Sequence, residues 1–417
     1  MDKKIFLKEC ENDLKDRFDE LDEIAFFNQK KILNAFQKQK VALRHFYGST
    51  GYGYDDSGKE VLNKIYAEVF GADSAIVSPL ITCGTHAIFL CLASILRPND
   101  VLLSVTGSPY DTLIDCIKGT KSDIGSLKDF NIKYEQVDLK DDKIDTLEAL
   151  NKIKELKPKI VYLQRSRGYG WRKPLSIDDF KYIFEEIRKI NKDCFIMVDN
   201  CYGEFVEKQE PSGVGADIVV GSLCKNPGGG IVPTGAYIAG TFRAISLIEK
   251  RLTAPSVGIE VGSYEPGYRL FFQGLFISPN VVKNAIKGAY LIGRVMEKLG
   301  YEVLPSSKEQ SFDIIKSIKF KSAEELIKFV QLVQKYSPVD SDAVPMPWDM
   351  PGYSDQVIMA AGTFVQGASI EMSCDSPIKA PYVAYFQGGL TYEHIKIVAE
   401  NLIDAYKNTE TSTLIEV

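Results

Sequence analysis

Two apolar segments of this chain end in side chains that could carry chemistry. Lys225 follows the segment "DIVVGSL", and Asp199 follows "CFIMV". A lysine at a partly buried strand end is expected to have a lowered pKa, which makes its amine a nucleophile toward carbonyl compounds. A carboxylate in such a place must meet a cation or a hydrogen bond, since it loses water. Asp199 is therefore either the counter-ion of a cationic ligand atom or an ordinary helix cap.

Two further segment ends carry groups suited to a phosphate and to a planar ring. Gly84 and Thr85 follow "AIVSP" and "LI" and begin the helical pattern "HAIFLCLASIL", so free backbone N–H groups and the helix dipole meet there. The alternative is a plain N-cap by Thr82 or Thr85. Tyr110 lies in the tight loop "TGSPYDTL" after "VLLSV", where simple surface packing is the alternative.

These groups occur along the chain in an order that suits one coenzyme, pyridoxal 5'-phosphate. Its aldehyde forms an imine with a lysine, an aromatic side chain covers its ring, a carboxylate keeps its pyridine nitrogen protonated, and its phosphate takes N–H and hydroxyl donors. Ser222, three residues before Lys225, supplies such a hydroxyl. We expect Pro227 and the glycines 228–230 to stop a helix and to let the backbone pass close to the coenzyme.

The elements that must position these residues alternate along the chain. Short, nearly continuous apolar runs bounded by turn residues indicate strands covered on both faces. They are "AIVSP", "VLLSV", "KIVYLQ", "CFIMVDN", "DIVVGSL" and "GAYIAG". The pattern predicts an α/β fold with a mainly parallel or mixed sheet, in which ligands bind beyond the carboxyl ends of the strands.

The pattern predicts three regions. Residues 1–58 form a charged helical arm that ends in the glycine and tyrosine loop "YGSTGYGYDDSG", residues 59–285 a large α/β domain, and residues 286–417 a smaller α+β domain. A long helix around "VKNAIKGAYLIGRVMEKLG" opens the last region. Strand-like "YEVLP", "DIIKSIKF", "VIMAAGTF" and "SIEMSC" and the helices "SAEELIKFVQLVQKY" and "YEHIKIVAENLIDAYK" follow.

The composition argues against several classes of partner. The 417 residues include 50 Lys and Arg against 56 Asp and Glu, a net charge of -6, so neither nucleic acid nor a membrane surface is expected as a partner. There is no signal-peptide pattern and no long apolar run, which predicts a soluble, cytoplasmic protein. The eight cysteines and three histidines show no metal-ligand spacing, so we expect reduced thiols and no metal.

Many longer motifs, from about residue 46 to residue 394, carry a family resemblance. They include "CGTHAIF", "GSPYDTL", "QRSRGYGWR", "VDNCYGEF", "GSLCKNPGGG", "RLTAPSVG", "QGLFISP", "PWDMPGYSDQVIMAAGTFVQGASIEMS" and "FQGGLTYEH". The chain resembles the aluminium resistance proteins, which are carbon–sulfur lyases similar to cystathionine β-lyase and methionine γ-lyase. The resemblance implies a fold-type I pyridoxal phosphate enzyme with a seven-stranded sheet, and a homodimer or homotetramer with shared active sites.

The resemblance also implies a role for each matching residue. Lys225 falls on the Schiff-base lysine, Ser222 on the phosphate-binding serine, Asp199 on the carboxylate at the pyridine nitrogen, Tyr110 on the stacking aromatic, and Gly84 and Thr85 on the backbone donors to the phosphate.

Two parts of the family pattern differ here. A Tyr-x-Arg arm of a neighbouring subunit normally reaches the phosphate, and this chain has Tyr52 and Tyr54 in that region without the arginine. The substrate carboxylate normally meets an arginine of the small domain, whereas here the corresponding stretch offers Lys379, a less specific point charge. Arg165 and Arg167 are rival candidates for that carboxylate.

The expected function is β- or γ-elimination on a sulfur-containing amino acid such as cystathionine, cysteine or methionine. Aminotransferase, decarboxylase and aldolase chemistry would use the same residues, so these alternatives stay open. A nicotinamide-dependent oxidoreductase would need a G-x-G-x-x-G turn before a helix, but "NPGGGIVPTG" precedes a strand-like run. A non-catalytic stress protein that binds the coenzyme is a further alternative.

Overall fold

The computed structural model describes residues 2–119, 124–350, 353 and 355–412. Pro351, Gly352 and Ser354 of the motif "PWDMPGYSDQV" lie outside the described residues. The α-helices are α1 (Lys3–Asp13), α2 (Lys15–Lys38), α3 (Ser57–Phe70), α4 (Gly84–Ile95), α5 (Asp111–Lys118), α6 (Thr146–Leu156), α7 (Ile177–Ile190), α8 (Phe242–Leu252), α9 (Arg269–Lys298), α10 (Ala323–Lys335) and α11 (Tyr392–Ser412). No helix in this part of the chain is both long enough and apolar enough to cross a membrane.

The strands divide between two main sheets and one hairpin. They are β1 (Ser74–Ser78), β2 (Val101–Ser104), β3 (Lys133–Gln136), β4 (Leu139–Lys140), β5 (Lys143–Ile144), β6 (Ile160–Gln164), β7 (Phe195–Asp199), β8 (Ile218–Ser222), β9 (Ala236–Gly240), β10 (Glu302–Leu304), β11 (Ile315–Lys319), β12 (Val357–Ala360), β13 (Ser373–Pro377) and β14 (Val383–Gln387). The strands β4 and β5 form the hairpin.

The larger sheet has seven strands in the order β1-β9-β8-β7-β6-β2-β3. Only β9 among them runs against its neighbours, so the carboxyl ends of β1, β2, β6, β7 and β8 lie along one edge of the sheet. The strands β6 to β9 are buried along their whole length, as expected for a sheet covered on both faces. The predicted seven-stranded, mainly parallel sheet is confirmed.

Each apolar run in the first 285 residues that predicted a strand does form one, but the edge strand β3 and the two-residue strands β4 and β5 were missed. The edge strand β3 reads "KYEQ" and alternates exposed with half-buried residues. Its charged, polar composition is typical of an edge strand and gives little apolar signal.

The smaller sheet has five antiparallel strands in the order β10-β11-β14-β13-β12. The helices α9 and α10 pack against these strands, and α11 packs against α9 and α10. The segment "SIEMSC" was expected to be a strand, but β13 begins at Ser373 and continues past it to Pro377. The strand β14 was missed. The smaller α+β unit is otherwise as predicted.

Helices cross or span the boundaries predicted between the N-terminal arm, the large domain and the small domain. The helix α9 begins at Arg269, earlier than the apolar pattern suggested, and continues through Pro279 and across position 285. The helix α2 packs along α9, and α1 packs against α9 and α11. The helices of the expected N-terminal arm are therefore docked on the body, and the backbone of the loop after them is hydrogen-bonded to Gly262 and Ser263 of the same chain.

The glycines 228–230, which follow Lys225, allow the backbone to pack closely against neighbouring segments of the chain. A Cβ at Gly228 would lie 1.8 Å from the carbonyl oxygen of Leu223, and Gly229 has φ +57° and faces the carbonyl of Gly274 in α9. The glycines make a turn against α9, and they do not line the cavity described below. The close packing against α9 explains the need for glycine here, and the approach of this backbone to a coenzyme stays a prediction.

Candidate active site

A cavity of about 820 Å³ lies at the carboxyl edge of the large sheet. Residues that end or follow β1, β2, β6, β7 and β8 form one wall, and residues of β11, β13 and β14 form the other. A cleft of this size, with polar groups converging from two units, is the usual setting of a small-molecule site. The predicted residues that line it are Gly84, Thr85, Tyr110, Arg167, Asp199, Ser222, Lys225 and Lys379.

Lys225 lies at the end of the loop that leaves β8. Its backbone begins a short 3-10 turn that contains Pro227, and its side chain is half-buried. The Lys225 ammonium nitrogen lies 4.0 Å from the ring centroid of Tyr202, a cation–π contact. The lysine is thus held by the ring at the base of the cavity.

The environment of Lys225 acts on its pKa in two directions. Burial lowers the pKa of the amine, but neighbouring acidic groups raise it more, so that it lies well above its ordinary value. These neighbours are Cys201, Tyr202, Asp199 and Tyr110. The expected lowering of the pKa is therefore wrong, because the strand ends bring acidic groups as well as apolar ones to the lysine.

Asp199 ends β7 and is 4% exposed. Burial raises the pKa of its carboxyl, and the Lys225 ammonium lowers it in part. Its Oδ1 accepts a hydrogen bond from the backbone N–H of Cys201 at 3.1 Å, which is a turn contact, and no helix begins there. The alternative of a helix cap is therefore wrong, and a buried carboxyl faces the lysine.

The amino end of α4 and the end of β8 lie side by side. A Cβ on Gly84 would lie 3.6 Å from the Ser222 Cβ and 3.5 Å from the Cys201 Sγ. The helix is capped by Cys83, whose Sγ accepts from the His86 N–H at 3.4 Å, so neither Thr82 nor Thr85 is the N-cap residue. The first N–H groups of a helix have no carbonyl within the helix, and here they face the cavity next to the serine hydroxyl.

Tyr110 is half-buried at the start of α5 and reaches the same corner. Its hydroxyl lies 2.9 Å from the Thr85 hydroxyl, and its backbone N–H donates to the Gln164 side chain at 3.1 Å. Gln164 ends β6, so this contact joins two neighbouring strand ends. Tyr110 therefore belongs to the cavity wall, and simple surface packing does not describe it.

The two arginines singled out in the sequence are both tied to other parts of the protein. Arg165 is fully buried outside the cavity, where its guanidinium donates to Asn200 at 2.9 Å and to Glu207 at 2.5 Å. Arg167 touches the cavity, but two of its nitrogens bond Asp313 at 3.2 and 3.0 Å. The structure thus does not bring Arg165 to the site, and it leaves Arg167 neutralised.

The remaining predicted residues have different surroundings. Lys379 lines the cavity and forms an ion pair with Asp355 at 2.8 Å. Tyr52 and Tyr54 are 70% and 60% exposed, their rings stack at 5.5 Å, and neither lines the cavity. Within one chain, the tyrosine loop is therefore separate from the site.

Three cavity residues were not singled out from the sequence. Tyr202, three residues after Asp199, has a left-handed backbone (φ 72°), which is strained for a bulky residue and recurs at functional sites. Arg172 donates hydrogen bonds to the carbonyls of Ser166 and Lys173 at 2.6 and 3.0 Å. Asp375 lies on the opposite wall, in β13. Arg172 and Asp375 each lie in or beside a quoted motif, but only the tertiary fold turns them inward.

This chain is similar to known proteins in its match to a family model, in its sequence and in its structure. A family model described as methionine gamma-lyase matches residues 3–407. An uncharacterised protein of Bacillus subtilis (strain 168), YnbB, is 45% identical over 400 residues, which are 95% of this chain and 94% of the relative. A carbon–sulfur lyase involved in aluminum resistance from Clostridium novyi NT has a similar structure, with a TM-score of 0.91 and 48% identity, covering 96% of this chain and 94% of that chain.

A more distant structure shares the fold alone. The pyridoxal-5'-phosphate dependent protein YhfS from Escherichia coli superimposes with a TM-score of 0.61 at 14% identity, over 93% of this chain and 97% of that chain. Together these findings confirm the predicted α/β fold of type I and the resemblance to the aluminium resistance proteins.

Proposed function

Because this chain belongs to the methionine gamma-lyase family, we propose that it is a pyridoxal-phosphate-dependent lyase that breaks the carbon–sulfur bond of an amino acid. The observation that carries the proposal is one cavity in which Lys225, Asp199, Ser222 and the start of α4 meet. The substrates proposed are of the cystathionine, cysteine or methionine type, cleaved by β- or γ-elimination.

The residues present fit the coenzyme. Gly84 and Thr85 offer helix N–H groups and Ser222 a hydroxyl beside them, a donor set that suits a phosphate. Asp199 is a buried carboxyl whose pKa the Lys225 charge lowers in part, so it can also balance a protonated ring nitrogen. Tyr110 and Tyr202 provide aromatic faces in the same cavity. When bound, pyridoxal phosphate supplies an electron sink for the charge that develops at the substrate Cα.

Lys225 would have two tasks. Its amine would hold the coenzyme covalently, and once the substrate replaces it, the freed amine would remove the proton from Cα. Tyr202 keeps the side chain of Lys225 in the cavity through the contact at 4.0 Å. The tyrosine rings around the amine limit the access of water, which strengthens its interaction with Asp199.

We propose Arg172 as the residue that binds the substrate carboxylate. Burial and the charge of Arg167 lower the pKa of its guanidinium to about 10, so it remains a cation at neutral pH. Its described partners are two backbone carbonyls, so its charge is not neutralised by a direct carboxylate contact. Lys379 and Arg167, in contrast, already have carboxylate partners. A planar guanidinium can also take a carboxylate with two hydrogen bonds.

The change Arg172→Gln is expected to raise KM for the amino acid by about 10- to 100-fold, because hydrogen bonds to charged groups contribute about 1.5–3 kcal/mol. Initial rates measured over a range of substrate concentrations test this. The matched control is Lys379→Gln, which removes a cation of the same cavity that already has a partner. A larger rise of KM in the control than in Arg172→Gln would contradict the assignment.

We also propose a homodimer or homotetramer in which the loop with Tyr52 and Tyr54 contacts the neighbouring subunit's phosphate site. The two rings project from their own chain, at 70% and 60% exposure. Phe26, Leu43 and Tyr47, on the same N-terminal region, are also highly exposed. Large apolar side chains exposed together usually mark a surface that another protein covers.

Subunit mixing tests this arrangement. The variant Tyr52→Ala/Tyr54→Ala is expected to bind the coenzyme about 10-fold more weakly, since contacts to the charged phosphate are lost. Mixed under conditions of subunit exchange with Lys225→Ala, it should regain activity, because one shared site then has an intact lysine and an intact loop. Activity that stays at the sum of the two separate variants would show that the loop serves its own chain.

Product analysis tests the proposed function as a whole. The coenzyme-loaded protein is incubated with cystathionine, cysteine or methionine, and keto acid, ammonia and thiol are measured. Elimination releases all three in equal amounts for a simple thioether substrate. Amino-group transfer would give keto acid without free ammonia, and no product from any of these substrates would contradict a carbon–sulfur lyase.

A further inference from the structure

The segment 200–206, which follows β7, carries the Tyr202 ring to Lys225 on an unfavourable backbone. Tyr202 and Phe205 both have a left-handed backbone, with φ of 72° and 61°. This conformation is strained for bulky residues, and it persists only where the surrounding structure holds it in place. The position of the Tyr202 ring, with its centroid 4.0 Å from the Lys225 nitrogen, therefore depends on what holds this segment.

Two buried side chains from other parts of the chain hold the segment. The Arg165 guanidinium donates to the Gly203 carbonyl at 2.8 Å. The Glu210 carboxylate accepts from the backbone N–H of Phe205 at 2.9 Å. Because both side chains are buried, water does not compete for these bonds. Neither residue is a neighbour of the lysine in the chain.

Asn226, the residue directly after Lys225, makes a further bond to the same segment. Its buried side-chain amide donates to the Glu204 carbonyl at 3.0 Å. Asn226 begins a short 3-10 turn, and the Ser278 hydroxyl of α9 lies 2.8 Å from the Pro227 carbonyl oxygen of that turn. One side chain on an anchored turn therefore links the backbone of the lysine to the segment that carries the tyrosine.

Asn28 in α2 bonds the same segment from its other side. Its buried side-chain amide donates to the carbonyls of Phe205 and Glu207 at 3.2 and 3.0 Å. No residue of α2 lines the cavity. The chain thus contains two buried asparagines that tie down the same segment, and Asn226 is the one that adjoins Lys225.

We propose that Asn226 is a positioning residue that fixes the Tyr202 ring against the Lys225 amine. The ring attracts the ammonium form of the lysine and confines its side chain. Without the Asn226 bond, the strained backbone of Tyr202 can relax and the ring can leave the lysine. The consequence for catalysis rests on the function proposed above, because a base for the α-proton must be held at one place in the cavity.

The reactivity of Lys225 in the full chain without coenzyme tests the contact without any turnover. Acetic anhydride labels free amines, and peptide mapping by mass spectrometry gives the labelling rate of Lys225 at a fixed, mildly alkaline pH. In Asn226→Ala this rate should rise about 10-fold, because the ammonium form loses its contact with the ring. Tyr202→Leu should give the same rise, whereas Tyr202→Phe, which keeps a ring, should label like the wild type.

Two further variants separate positioning from a general loosening of the segment. The double variant Asn226→Ala/Tyr202→Leu should label no faster than either single variant, because both changes remove the same contact. The matched control Asn28→Ala also removes a buried amide from the segment. It should lower the free energy of unfolding about as much as Asn226→Ala but leave the labelling rate of Lys225 unchanged.

Urea unfolding shows whether the variants are folded. If Asn226→Ala does not fold, Asn226→Ser takes its place, because the serine side chain is one bond shorter and its hydroxyl does not reach the Glu204 carbonyl. The same labelling result is expected for both variants.

The coenzyme-loaded protein provides the catalytic readout. Asn226→Ala should lower kcat for an amino acid substrate by about 10- to 100-fold with little change of KM, because a displaced amine loses its alignment with Cα. This pattern differs from that of Arg172→Gln, which is expected to act on KM. Asn28→Ala should change neither constant.

Three results would overturn the proposal. The first is an equal rise of Lys225 labelling in Asn226→Ala and Asn28→Ala, which would mean a loosened segment. The second is a double variant in which the two effects multiply, since Asn226 and Tyr202 would then act separately. The third is an unchanged kcat in Asn226→Ala. If the wild type cleaves no amino acid, the lyase function fails, and the labelling results still decide whether Asn226 sets the contact.

Discussion

The change Lys225→Ala is expected to abolish the visible absorption of the coenzyme-loaded protein. It should also lower the turnover number by at least about 10³-fold. The change removes the amine that would hold the coenzyme and the base that would take the α-proton. The Tyr202 ring centroid lies 4.0 Å from the Lys225 nitrogen, and both residues line this cavity. Absorption spectra and keto acid release, measured on the same preparation, check the expectation.

The matched control for this change is Lys379→Ala. Lys379 is a second lysine of the same cavity, but it is exposed and paired with Asp355. We expect Lys379→Ala to keep the visible band and most of the turnover. If Lys225→Ala kept both the visible band and the turnover, the proposed role of Lys225 would be contradicted, whatever the result for Lys379→Ala.

The second large effect is expected for Asp199→Asn, in which kcat should fall by about 10²- to 10³-fold. Asparagine has nearly the same shape and can still accept the hydrogen bond from the Cys201 N–H. It carries no negative charge, so it cannot keep a ring nitrogen protonated. The kcat of the variant is compared with that of Asp111→Asn, a carboxyl of the same cavity that faces neither the lysine nor Cys201. Equal kcat losses in both variants would contradict the specific role of Asp199.

Although Asp199→Asn should lower kcat, it should raise the stability of the protein in the absence of the coenzyme. Burial raises the pKa of Asp199 in the folded chain above its value in the unfolded chain. The folded state therefore binds the proton more tightly, and the wild type loses stability as the pH rises from the unfolded pKa of about 3.9 through the folded pKa. Asparagine does not ionise. Urea unfolding at neutral pH should thus give a higher free energy of unfolding for Asp199→Asn than for the wild type.

Much of the large sheet and the edge that forms the cavity could be predicted because the signals are local. Runs such as 195–199 and 218–222 are apolar throughout, and the polar group at the end of each run must lie at a sheet edge. Parallel strands bring these ends together, so Asp199, Ser222 and Lys225 could be placed in one site before any distance was known. The edge strand β3 lacked such a run and was missed.

The residues proposed for the substrate could not be predicted in the same way. Arg165, Arg167 and Arg172 lie within one short loop, and which of them is free depends on acidic groups far away in sequence, such as Asp313. Asp375 lines the same cavity as Lys225 only because the smaller sheet lies beside the edge of the larger one. The raised pKa of Lys225 is also non-local, since it comes from groups in the segments that follow β7 and precede α5.

The most direct test of the whole account is chemical reduction of the coenzyme-loaded protein with borohydride, followed by peptide mapping by mass spectrometry. Reduction should bleach the visible band and leave a single pyridoxyl adduct, on Lys225 at the end of the loop after β8. An adduct on another lysine such as Lys379, or protein that stays colourless and unmodified when pyridoxal phosphate is supplied, would contradict the assignment.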